Sequence, residues 1–159
     1  MLEWKPSYLK EIYTDVRGVK WLIRDLLVSQ IPRRLLQTNV DYIWSLNSHR
    51  RLWSNNVGSL EEVICSPTLQ EFLDKSLQEL HAELNFQNTT EAHLNRIAAI
   101  IMSLKIGWLP PPIITVEGKV WDGAHRLCAF KYLSLTHIGV LEFYDLTELS
   151  QVPVIEITT

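Results

Sequence analysis

PPPIITVEGKVWDGAHRLCAFKYL, Pro110–Leu133, is the stretch that decides the fold of this chain. Three prolines stop whatever helix precedes them. Ile113–Val116 is a β-branched run, Glu117–Gly118 is a turn signal, and Lys119–Trp121 resumes a strand. Gly123 breaks the extended pattern. Ala124–Leu133 then has helical period, with Leu127, Ala129, Phe130 and Leu133 on the packing face. A strand–turn–strand–glycine–helix unit delivers Asp122 to a strand end and lets the backbone turn tightly at Gly123. It also opens a helix whose first amides, at Ala124, His125 and Arg126, have no intrahelical partner. Free amides and the positive end of the helix dipole suit an anion, above all phosphate. Arg126 offers a planar fork for two phosphate oxygens, and His125 can carry a proton near neutral pH. The residues alone leave two readings open. One is a phosphate-holding loop; the other is a helix capped by Asp122 with a surface His and Arg.

Upstream, Ser7 to about Gln30 repeats apolar residues with helical period (Leu9, Ile12, Val16, Val19, Ile23, Leu27), weakened at Gly18 and closed by Pro32; the alternative is that Trp21–Val28 turns extended near its end. Asp41–Leu46 reads as a short helix and Asn47–Gly58 as a polar loop holding His49, Arg50 and Arg51. Three helix starts show cap chemistry: Ser59 before Glu62, Thr68 before Glu71, and Asn88 before Glu91. The second spans about Leu69–Leu84 and the third about Thr89–Lys105, ending at Gly107. Downstream, Ile138–Tyr144 and Val152–Ile157 read as strands. His81 and His93 sit beside acids on helices and read as surface residues. Trp121 reads as core, because alternation turns it away from Asp122. Glu142 and Asp145, near a strand end, are further carboxylates for metal or base chemistry.

Composition bounds the function. A chain of 159 residues that is 47% hydrophobic can bury a continuous core. Its longest apolar runs fall short of the ~20 residues of a membrane helix. The start, MLEWKPSYLKEIY, has no signal-peptide core, so the expectation is a cytoplasmic protein. Cys65 and Cys128 have no metal-ligand or redox spacing, and the expectation is buried thiols without a disulfide. Residues 1–52 hold nine Lys/Arg against five acids, a net of +4, so with −3 overall the remainder carries −7. This basic front also holds Trp4, Trp21 and Trp44, with Trp53 beside it. It reads either as a solvated face with packed tryptophans or as a surface for an anionic ligand, a nucleic acid or a protein partner.

The stretch Pro110–Phe143, with Asp-Gly-x-His-Arg at Asp122–Arg126, resembles the core of the ParB/sulfiredoxin-like superfamily. That pattern is a hydrophobic hairpin, the motif, an Ala-containing helix, then a strand. The preceding helix with Arg96 and Ile97 fits the same layout. The resemblance covers about Glu91–Phe143, one third of the chain. Sulfiredoxins carry a cysteine where this chain has Ala124, and Cys128 lies a helical turn further on, so the resemblance does not extend to that activity. Partition proteins carry Gly-Glu-Arg-Arg, which Ala124 and His125 break. The motif is most similar to free serine kinases.

That resemblance implies an ATP-type nucleotide with Mg²⁺ and phosphoryl transfer to a small hydroxyl compound, or nucleotide hydrolysis. Gly123, Ala124, His125 and Arg126 would hold phosphates. Asp122 and His125 would be catalytic, with Asp122 on the metal. Those kinases also use a Glu near their first core strand, whereas the matching region Ser29–Gln37 has no acid and instead Arg33 and Arg34, an additional phosphate clamp or a solvated pair. The alternative is a non-catalytic binding or inhibitor protein on the same fold. A nuclease is a third reading, disfavoured by the acidic C-terminal part. The expected fold is α+β: a small mixed sheet of ParB/sulfiredoxin type covered by helices over 59–159, with a helical extension over 1–58.

Overall fold

The computed structural model describes residues 12–14, 20–22, 33–54, 56–84, 87–110 and 112–143. Two short strands, β1 (Ile12–Thr14) and β2 (Lys20–Leu22), pair antiparallel with Tyr13 opposite Trp21. The helical reading of Ser7–Gln30 is corrected at these residues. Ile, Tyr, Thr and Trp favour a pleated surface, and Gly18 in the intervening sequence penalises a helix. The rest of that segment lies outside the described residues, as do Tyr144, Asp145 and the Val152–Ile157 strand.

The main sheet has four strands in the order β3-β6-β4-β5. They are β3 (Arg33–Asn39), β4 (Ile113–Val116), β5 (Lys119–Asp122) and β6 (His137–Phe143). β6 runs antiparallel to β3 and parallel to β4, and β4 is antiparallel to β5, so the sheet is mixed. Glu117 and Gly118 make the β4–β5 turn with φ of 53° and 78°, the positive-φ pair a tight hairpin asks for. With six helices among the described residues, the class is α+β as expected. β3 pairs along its length with β6. β3, within the stretch 1–58 expected as a helical extension, is thus an edge strand of the main sheet.

The helices are α1 (Val40–Asn47), α2 (Leu60–Ile64), α3 (Thr68–Leu73), α4 (Leu77–Ala82), α5 (Thr90–Lys105) and α6 (Ala124–Tyr132). α2 starts on the Ser59/Glu62 capping box. The single helix expected over 69–84 is instead two. Ser76 accepts the Glu79 amide at 3.1 Å while the Glu79 carboxylate accepts the Ser76 amide, a second capping box that a continuous helix would forfeit. Thr68 is helical and caps nothing with its side chain. The cap of α5 is Thr89, whose hydroxyl accepts from the Ala92 amide at 3.1 Å; Asn88 turns elsewhere.

α5 runs through the core, with Ile97, Ala98 and Ile101 at 0% exposure. Fully burying each isoleucine contributes about 1.5–3 kcal/mol. It shares one hydrophobic core with Leu127 and Phe130 of α6, Val40 and Ile43 of α1, and the sheet residues Ile113, Val120 and Val140. Trp44 is core, but Trp121 is not: it is 38% exposed. β5 is an edge strand whose Val120 faces the core, which leaves Trp121 on the outer side.

Both cysteines are free thiols. Cys128 is buried as expected, whereas Cys65, just past the short α2, is exposed. Among the described residues no helix is long and apolar enough to cross a membrane.

Candidate functional site

β5 and α6 meet at Gly123, the N-cap of α6, with φ 104°. A Cβ there would lie 2.5 Å from Ile113 Cγ2 and 2.8 Å from Ile113 Cβ. Only glycine lets the chain turn this closely against β4. The first helical bond of α6 is Leu127 N–H to the Gly123 carbonyl at 3.0 Å. The amides of Ala124, His125 and Arg126 thus precede the helical ladder, as the sequence pattern requires.

These residues form one wall of a concavity of ≈ 380 Å³, with Trp121, Asp122, Gly123, Ala124 and His125 on that side. Arg50, Leu52, Trp53 and Val120 line it as well. Arg50, expected in a polar loop, is half-buried and built in. Its Nη1 donates to Asn47 Oδ1 at 2.9 Å and to the Val120 carbonyl at 3.3 Å. Asn47, fully buried, also accepts the Val120 amide at 2.9 Å and donates to the Gly118 carbonyl at 3.0 Å. Asn47 and Arg50 therefore serve the open edge of β5 as a neighbouring strand would. Burial lowers the Arg50 pKa from its ordinary value. Its two partners are neutral oxygens, and no carboxylate among the described residues pairs with it. A desolvated guanidinium facing a cavity is a strong anion ligand.

Arg126, the expected phosphate clamp, is turned inward. It is 5% exposed, and its Nη2 contacts Asp122 Oδ2 at 3.3 Å, one helical turn apart. It is not part of the cavity lining. Asp122 does line the cavity, with its side chain 41% exposed. The strand that carries Arg33 and Arg34, β3, is the opposite edge of the sheet, three strand spacings from β5, roughly 14 Å. Glu142 is committed elsewhere. Its carboxylate accepts the Thr115 hydroxyl and the Gly118 amide, and so fastens the β4–β5 hairpin.

The largest departure is His93. Read as a surface residue, it is 2% exposed. Its Nδ1 lies 2.7 Å from His125 Nε2, and its Nε2 lies 2.5 Å from Asn88 Oδ1. The two imidazoles are 18° from coplanar with centroids 5.0 Å apart. Together with the 2.7 Å contact, this makes them an edge-to-edge pair. The Trp53 indole covers both, at 4.1 Å from His93 and 4.7 Å from His125. Burial, reinforced by Arg96, lowers the His93 pKa to about 4. Burial, then His93, Arg96 and Arg126, hold His125 well below the ordinary histidine value. Both rings are neutral at pH 7. A signal for His93 existed in the sequence: it shares a helix face with Ile97 and Ile100, at i+4 and i+7.

Among the described residues no cluster of three or more His, Cys, Asp or Glu could hold a metal by itself. No family model matches the chain, and no curated protein or solved structure matches it.

Proposed function

We propose that the chain binds a nucleotide of the ATP type in the Arg50–His125 cavity, on a fold of ParB/sulfiredoxin type. The phosphates would lie against the α6 amides and Arg50, and the base beside Trp53 and Trp121. The observation that carries this reading is Arg50: a half-buried cation on neutral partners, lining the same cavity as the glycine-opened helix start. Amides at a helix N-terminus alone favour an anion modestly; an added guanidinium supplies charge-assisted, two-pronged contacts. Two free cysteines agree with a reducing, cytoplasmic setting.

The same reading extends to phosphoryl transfer to a small hydroxyl compound, or to hydrolysis. Mg²⁺ bound through substrate phosphates needs only one or two carboxylates, and Asp122 on the cavity wall fits that need. When bound, the ion would neutralise charge between phosphate oxygens. The chain's own residues would hold and orient the phosphates and accept a proton at His125.

Calorimetry with ATP, ADP and inorganic phosphate, with and without Mg²⁺, tests the reading. Arg50→Ala should weaken binding of ATP about 10–150-fold, the equivalent of ~1.5–3 kcal/mol for a lost charged hydrogen bond. A folded wild-type protein that takes up none of these ligands refutes it.

A second reading, a binding module without turnover, is favoured by one observation. Among the described residues Asp122 is the single carboxylate lining the cavity, and it is already engaged by Arg126. Saturable ATP binding with no ADP released in the presence of a panel of hydroxyl metabolites would select it.

A further inference from the structure

We infer that His93 and Asn88 are positioning residues that fix His125 as the proton acceptor of this cavity, with Nδ1 of His125 as its basic nitrogen. The inference rests on the phosphoryl-transfer reading for its role, and on geometry for its form.

The hydrogen-bond order follows from Asn88. Its Oδ1 is an acceptor 2.5 Å from His93 Nε2, so that nitrogen carries the proton. Neutral His93 then has a lone pair on Nδ1, which faces His125 Nε2 at 2.7 Å. His125 Nε2 must therefore be the donor, and its Nδ1 is left with the lone pair. Each ring has one assigned tautomer, set by the amide oxygen at the far end. The edge-to-edge arrangement under one indole holds both rings in plane, so neither can rotate without leaving Trp53.

His125 lines the cavity, and Nε2 is committed to His93, so Nδ1 is the nitrogen that remains for a ligand. In the step assigned to it, the O–H bond of an acceptor hydroxyl breaks and the proton bonds to Nδ1. The electron pair stays on oxygen and forms the new bond to the terminal phosphorus of the nucleotide, while the bond from that phosphorus to its bridging oxygen breaks and ADP leaves with the pair. The resulting imidazolium is supported by its Nε2–H bond to His93 Nδ1. The groups facing the pair set its availability. Arg96 on α5 and Arg126 on α6 both disfavour a positive charge, and desolvation acts in the same direction. The base is thus unprotonated over the neutral range.

The test has a readout that needs no substrate. Nitrogen-15 NMR of the imidazoles of the whole chain at pH 7 should show both His93 and His125 as Nε2–H tautomers. In Asn88→Ala, whose site is on the surface, and in His93→Phe, which keeps a flat ring under Trp53, the fixed His125 tautomer should give way to a mixture. The same variants should lower the rate of ADP release several-fold, less than the ~100-fold expected for loss of the base itself, while ATP affinity stays within about twofold of wild type. An Nδ1–H tautomer of His125 in the wild type overturns the inference. So does a wild-type His125 signal retained in both variants. Failure of ATP to bind would instead remove the functional reading and leave the NMR result to decide the hydrogen-bond order by itself.

Discussion

Asn47 lies alongside Val120 as though it were the next strand: its side-chain oxygen accepts the Val120 amide at 2.9 Å, across 73 residues of sequence. The same amide group donates to Gly118 and Ile43 carbonyls and accepts from Arg50. One buried side chain thus satisfies the edge of β5, closes the end of α1 and aims the cavity arginine. Asn47→Ala should destabilise the fold by about 2–4 kcal/mol, because it orphans several buried backbone groups at once. Urea unfolding followed by circular dichroism checks this. A loss below about 0.5 kcal/mol would mean that water replaces the side chain.

Gly123→Ala should be costly for two separate reasons. A side chain is strained at φ 104°, and its Cβ would press on the Ile113 branch at 2.5–2.8 Å. The contact is with the branch point of a buried side chain, so rotamer adjustment gives no relief. We expect a loss of about 2–4 kcal/mol, or relaxation of the loop with loss of ligand binding. A variant with wild-type melting temperature and wild-type phosphate affinity would show that the loop is looser than its geometry states.

How much of this was legible in the sequence follows the range of the interactions. The hairpin, Gly123 and α6 are written locally, in a β-branched run, a Glu-Gly turn and a helix with an apolar face, and these stand as read. So does the capping box at Ser59. The break at Ser76 was equally local and readable, since Ser76 and Glu79 have box spacing. Arg50 had no local mark. Its role arises from Val120, 70 residues away, which no periodicity can reveal. Arg126 went the other way: its charge and position in the motif promised an open clamp, yet a carboxylate one turn away and a core beneath it turn the guanidinium inward. Trp121 shows the limit of alternation, which gives the face of a strand but not whether anything covers it.

The two thiols should separate cleanly. Cys65 is exposed, while Cys128 is buried and its pKa is raised by that burial. The thiolate is the reactive form, so a thiol reagent at pH 8 should label one cysteine per native chain, and peptide mapping should find it at Cys65. Labelling of the second should require denaturant. Rapid native labelling of Cys128 would contradict its place in the core beside Leu127 and Ala129.

Acid should weaken the fold before ordinary carboxylate titration begins, and the sign can be worked out from His93. Its folded pKa, about 4, lies below the ordinary value of 6.5. Between these values the unfolded chain binds a proton that the native chain refuses, so stability falls as pH drops from about 6.5 toward 4. His125 is displaced in the same direction and adds to the loss, and His81, lowered by burial, contributes a smaller share. A shift of this size for His93 alone corresponds to roughly 2–3 kcal/mol across the window. Glu62 acts lower down. Its pKa is lowered first by hydrogen bonds from Ser59, so its contribution is present above the ordinary carboxylate range and is lost only as pH falls through its own folded value. The histidine effect therefore stands apart in the upper part of the acid limb. Urea unfolding at pH 7, 6, 5 and 4.5 should show a progressive loss in the wild type. In His93→Phe the slope between pH 6.5 and 4.5 should become shallower, because one of the groups that refuses the proton is gone. If instead the wild type keeps constant stability down to pH 4.5, the imidazole pair takes up protons in the folded state as freely as in the unfolded chain, and the neutral, indole-covered pair described here is excluded.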